Sequence, residues 1–196
     1  VMQVWMHHEH FEIHHINPAW FIPIVGNILV PIAGVAHGYV EVSTFFFSIG
    51  LLFWIVLLGI IFNRVIFHQP LPERLFPTLF ILIAPPAIGF ISYVKLHGEV
   101  DIFARVLYYS ALFLTLLLFT QIPRFTKLNF FLSWWAYSFP MAAITIATIV
   151  MFEKTGHLWF KITGYGLLGI ITLLISFLLF KTIRAVSQKQ ICIAEG

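Results

Sequence analysis

The densest group of side chains able to do chemistry is HHEHFEIHH, from His7 to His15. Imidazole nitrogens suit zinc, copper and iron. HFEIHH also has the H-x3-H-H form of the boxes that gather imidazoles around a di-iron centre in membrane desaturases and hydroxylases. Such a centre needs further boxes, and His37, His68, His97 and His157 each stand alone. The single cysteine, Cys192, removes disulfide pairing and any cysteine metal cluster. The segment therefore reads as a solvated loop over residues 1–19, more basic below about pH 6.5. Neither a metal, a cofactor nor an enzymatic reaction is expected of it.

The elements that carry the rest of the chain are set by its solvent. Hydrophobic residues make up 60% of the sequence, charged residues 10%, and the mean hydropathy is +0.96. A soluble domain is about 25% charged. The apolar residues come in long blocks, as in Phe45 to Phe62 and Ala111 to Phe119, and a bilayer core needs roughly 20 of them per helix. The expected fold is all-α and integral to the membrane, because an open sheet edge has no partner in lipid. Spans are predicted at 20–37, 44–66, 75–95, 102–122, 131–152 and 159–183, giving a transmembrane domain over 20–183 and a tail over 184–196. An even number of spans puts both ends on one side. That side receives Arg64, Arg74, Arg124, Lys127, Lys181, Arg184 and Lys189, so the positive-inside bias predicts cytoplasmic ends. Trp20, Trp134, Trp135 and Trp159 fall near predicted span ends, where amphipathic rings settle.

Prolines divide the spans into two kinds. The first, third and fifth contain Pro31, Pro85 with Pro86, and Pro140; the second, fourth and sixth contain none. The steps from Pro31 to Pro86 and on to Pro140 are both about 55 residues, one helical hairpin per repeat. A proline inside a helix removes an N–H and displaces the carbonyl four residues earlier, here those of Asn27, Leu82 and Ala136. Such carbonyls find partners inside protein or beside a water-filled cavity. The proline-kinked helices are therefore expected to face a pore and the proline-free helices to face lipid. The predicted span centres hold no carboxylate, histidine or lysine of the kind that binds a coupling ion. Weak hydroxyl and amide sites such as Asn27, Thr78 and Ser92 suit a channel, from which ions must leave as readily as they enter.

NPAWFIPIVGNILVPIAG from Asn17, LFILIAPPAIGF from Leu79 and SWWAYSFPMAAITIAT from Ser133 resemble the slow-type anion channel and tellurite-resistance/dicarboxylate transporter family. That family includes plant guard-cell anion channels and the bacterial permease TehA. The resemblance implies helical hairpins arranged around a central pore, five in the full plan, with the odd helices inside and kinked by proline. It implies homotrimers, each subunit with its own pore, in the plasma membrane. The alternating prolines correspond to the fifth, seventh and ninth helices of that plan, so the chain is expected to be the C-terminal part of a longer protein.

The resemblance also implies a gate. A phenylalanine of the ninth helix plugs the pore in this family, and the matching residue is Phe139 of SWWAYSFP. Just before the kinking prolines the three inner helices carry Val30, Pro85 and Phe139, so only the last is a bulky aromatic. Val30, Gly34, Ala84, Gly89, Ala143 and Thr148 are the remaining pore-lining candidates, although small residues also serve helix packing. The expected function is passive passage of small inorganic anions past Phe139. A carrier exporting dicarboxylate, sulfite or tellurite-related anions is the alternative. The lipid bilayer and small anions are the expected partners; nucleic acid is not.

Overall fold

The computed structural model describes residues 7, 12–125 and 127–189, and every regular element among them is helical. His8, Glu9, His10 and Cys192 lie outside the described residues. Six main helices run in order: α1 (Pro18–Gly34), α2 (Val40–Phe67), α3 (Glu73–His97), α4 (Ile102–Phe119), α5 (Leu132–Thr155) and α6 (Leu158–Ser187). The last five are long and apolar enough to cross a bilayer, whereas α1 is shorter than its expected span.

Local chemistry sets several ends. Asn17 accepts the Ala19 N–H at 3.0 Å and is followed by Pro18 in the first helical turn. Asp101 accepts the Ala104 N–H at 2.8 Å and starts α4. Both are N-caps, satisfying donors that the first turn leaves free. The inner helices α3 and α5 end at Gly98 (φ 91°) and Gly156 (φ 71°), left-handed positions that favour glycine and turn the chain sharply into the next helix.

The inner helices differ from the expected α-helices with proline kinks. They begin as 3-10 helix, at Pro18–Phe21, Glu73–Ile83 and Leu132–Tyr137, and continue as α-helix from Ile22, Ala84 and Ser138. In α1 the α stretch is interrupted at Leu29, and a new one runs over Val30–Gly34. Pro31, Pro85, Pro86 and Pro140 all lie in the first turn of an α segment. A missing N–H is harmless there, because the first turn has no carbonyl four residues back to bond. The carbonyl that reaches another helix is that of Ile28 rather than Asn27. It accepts from the fully buried Ser92 hydroxyl of α3 at 2.6 Å.

Three hairpins, α1–α2, α3–α4 and α5–α6, pack side by side with α3 between α1 and α5. In the most apolar stretch of α3, 89% of residues are buried, and in α5 50%, against 39% in α4, 28% in α2 and 17% in α6. The proline-containing helices α3 and α5 are thus more buried than the proline-free α2, α4 and α6. Close approach of α2 to α1 depends on Gly50. A Cβ there would strike the Ile28 side chain and come within 3.0 Å of its backbone nitrogen. Sparse polar contacts tie the layers: Tyr108 to Thr148 at 3.2 Å, the Trp135 indole to Thr182 at 3.0 Å, and the Lys154 ammonium to the Gly98 carbonyl at 2.7 Å.

Candidate pore surface

A cavity of about 570 Å³ opens where α1, α3 and α5 come together. From α1 it is lined by Ala19, Ile22, Val25, Gly26 and Leu29. Helix α3 contributes Thr78 and Ile81, and α5 contributes Ser133, Ala136, Phe139 and Pro140. No residue of the proline-free helices lines it. Two spacings explain these sets. Ile22, Val25, Gly26 and Leu29 follow the α-helical period, whereas Thr78 with Ile81, and Ser133 with Ala136 and Phe139, recur every third residue. In a 3-10 helix, side chains three apart eclipse one another and form a straight stripe along the axis. The Glu73–Ile83 and Leu132–Tyr137 segments present such stripes to the cavity.

The wall is apolar apart from two hydroxyls. Thr78 donates to the Leu75 carbonyl at 2.5 Å, so its proton is already engaged. The Ser133 oxygen is buried without a hydrogen-bond partner. Among the described residues, the lining contains no carboxylate to repel an anion and no ionisable group to hold one tightly. Phe139 is the one aromatic residue among the described residues of the lining and is 45% exposed.

The structure brings Phe139 and Pro140 to this surface and sends the other candidates elsewhere. Pro31, Pro85 and Pro86 are buried at the starts of α segments. Ala84 and Ala143 are buried in the core. Gly89 faces Leu107 and Ile28, and a Cβ on Gly34 would strike the Ser43 hydroxyl. Thr148 bonds Tyr108 and donates to the Ile144 carbonyl at 2.8 Å, and Val30 is half-buried outside the cavity. These small residues mediate helix contacts. The lining residues that sequence reasoning missed lie before the prolines, and the three-residue spacing of Ser133, Ala136 and Phe139 is the signal that could have found those on α5.

At the start of the chain, Glu12 and His14 lie 3.1 Å apart, and the His14 and His15 rings 3.9 Å apart. Among the described residues, no group of three or more His, Cys, Asp or Glu is placed to share a metal ion. At the opposite end of α3, Asp101 accepts from the Tyr93 hydroxyl at 2.6 Å, with His97 3.8 Å away. The Ala104 N–H, then the Tyr93 hydroxyl, hold the Asp101 carboxyl below its usual range.

Residues 1–183 match the SLAC1 family, described as voltage-dependent anion channel. The chain is 34% identical over 167 residues to the S-type anion channel SLAH2 of Arabidopsis thaliana, covering 85% of this chain and 32% of that protein. It is 32% identical over 133 residues to the guard cell S-type anion channel SLAC1 of the same plant, covering 68% and 24%. It is 27% identical over 139 residues to a tellurite resistance protein TehA homolog of Haemophilus influenzae, covering 68% and 41%. The chain thus spans less than half the length of each of these relatives.

Proposed function

Because the chain belongs to the SLAC1 voltage-dependent anion channel family, a family of multi-pass membrane channels and transporters rather than enzymes, we propose that its protein passes small inorganic anions across the membrane along the surface shared by α1, α3 and α5. One observation supports this reading above others. Among the described residues, the cavity of about 570 Å³ is lined by the three proline-containing helices and no others, and Phe139 stands in its wall. An anion moving along it meets a surface of low polarity. Weak binding of that kind permits release as well as entry.

Phe139 is the gate in this reading. Its ring lies beside Pro140 at the change from 3-10 to α geometry, and Ala136 one 3-10 turn earlier leaves space for it to swing. The protein acts as a homotrimer in the plasma membrane, with a pore in each subunit. Residues 1–19 and 184–196 lie on the cytoplasmic side, where Arg64, Arg74, Arg124 and Lys181 also cluster by sequence.

The decisive experiment replaces Phe139 with alanine in the full-length protein and records anion current. The expected result is an increase of at least about tenfold, as removal of a hydrophobic constriction allows wetting. Unchanged current in a folded variant rules out the gate. The TehA likeness keeps export of dicarboxylate, sulfite or tellurite-related anions as the second reading. Transport that persists after the proton gradient is collapsed supports the channel, and strict dependence on the gradient supports the carrier.

A further inference from the structure

The 3-10 segment of α5, Leu132–Tyr137, is rich in side chains that can form hydrogen bonds, yet few of them do. The Ser133 hydroxyl, the Trp134 indole N–H and the Tyr137 hydroxyl are all buried without a hydrogen-bond partner. A buried donor in that state has lost the bond it had with water, so each of the three weighs against this arrangement of the segment. Something must hold the segment in place against that cost.

Trp135 is the exception. Its indole N–H donates to the Thr182 hydroxyl of α6 at 3.0 Å. Thr182 in turn donates to the Leu178 carbonyl of its own helix at 2.8 Å, so its proton is engaged and its oxygen is left to accept from Trp135. The Trp135 backbone is held as well. Its carbonyl accepts from the Ser138 hydroxyl at 2.7 Å and from the Ser138 backbone N–H, both three residues on. Beyond Pro140 the hydroxyls of the same helix span a longer interval. Thr145, Thr148 and Thr155 reach four residues back, to the carbonyls of Met141, Ile144 and Met151. The hydroxyl bonds thus follow the change of pitch from the three-residue to the four-residue repeat. Phe139 comes directly after Ser138 and stands in the cavity wall. With Trp135 fastened to α6, the pitch of the residues between them sets the direction of the Phe139 ring.

We propose that Trp135 and Thr182 form a latch that holds Leu132–Tyr137 in its 3-10 form and so keeps Phe139 in the cavity wall. Both are positioning residues: neither is among the described residues lining the cavity, and both act through Phe139. The effect on current rests on Phe139 being the gate; the effect on the segment itself does not.

The test uses the full-length protein reconstituted in a lipid bilayer, with single-channel anion current and amide hydrogen exchange over residues 132–138 measured in parallel. Trp135→Phe keeps an aromatic ring and removes the donor. Thr182→Val keeps the shape and removes the acceptor, whereas Thr182→Ser keeps the hydroxyl. The first two should each speed exchange over 132–138 roughly 2- to 10-fold and raise open probability by a similar factor, with the conductance of the open pore unchanged. The double variant Trp135→Phe/Thr182→Val should go no further than either single one, because both break the same bond. Thr182→Ser should behave as the wild type. If Trp135→Phe does not fold, Thr182→Val and its serine control decide. Unchanged exchange in the folded variants, or additive effects in the double variant, overturns the latch. Faster exchange with open probability unchanged or lowered overturns its link to Phe139. Failure of Phe139→Ala to alter the current overturns the gate, while the exchange rates still decide the latch.

Discussion

Along α3 and α5 the chain before the prolines and the chain after them do different work. Before the prolines, Glu73–Ile83 and Leu132–Tyr137 are 3-10 helix and supply the cavity residues Thr78, Ile81, Ser133 and Ala136. After them, the same helices are α and bury Ala87, Ile88, Ala143, Ile144 and Ala147 against their neighbours. A helix with side chains eclipsed every third residue presents a straight stripe, whereas an α-helix offers oblique grooves into which small residues let another helix settle. The comparison shows that small residues after the prolines maintain the bundle, and that residues before them bound its open space.

The largest expected effect comes from enlarging one alanine on each side of this divide. Ala87→Leu should destabilise the protein by about 1–3 kcal/mol, because the site is fully buried. Ala136→Leu should change stability by no more than ~0.5 kcal/mol and instead lower anion current. Thermal unfolding in detergent, paired with current measurements, checks both; equal destabilisation would erase the distinction. Removing hydroxyls should separate the halves again by a smaller margin. Ser92→Ala leaves the buried Ile28 carbonyl without its donor and should cost about 1–2 kcal/mol. Ser133→Ala removes a hydroxyl that has no protein partner and should leave the unfolding temperature nearly unchanged.

The smallest effect belongs to the far end of α3. The folded Asp101 carboxyl is depressed by the Ala104 N–H and the Tyr93 hydroxyl, so its contribution is fully present above the ordinary value of 3.8 and is lost as pH falls through the lower folded value. The unfolding temperature should be flat at neutral pH and fall slightly below about pH 4. Asp101→Asn should remove that component, and an unchanged acid slope would show that other carboxylates cause it.

Much of the bundle could be read directly from residue types. Long blocks without charge identified membrane helices, and the spacing of Pro31, Pro86 and Pro140 separated inner from outer members. The helix ends after Lys95 and Lys154 were legible only to within a few residues, because Gly98 and Gly156 act through backbone angles. The local geometry before the prolines was not legible. Nothing in LFPTLFILI distinguishes an α period from a 3-10 period, since its residues are nearly all apolar. For that reason the search for pore residues went to the small side chains after the prolines, Gly89, Ala143 and Thr148, which the structure places in helix contacts. Phe139 stood out in the sequence because it differs in size from its equivalents, Val30 and Pro85, and it lies in the cavity wall.

The 3-10 segments also give the inner helices an adjustable length. A 3-10 helix rises about 2.0 Å per residue and turns about 120°, against about 1.5 Å and 100° for an α-helix. Each residue that changes from 3-10 to α form shortens the helix by about 0.5 Å and rotates the remainder of it by about 20°. Over Leu132–Tyr137, moving the boundary by two residues amounts to a stroke of about 1 Å and a twist of about 40°. Such a screw motion turns the Phe139 ring relative to α1 and α3 without sliding α5 as a whole past its neighbours.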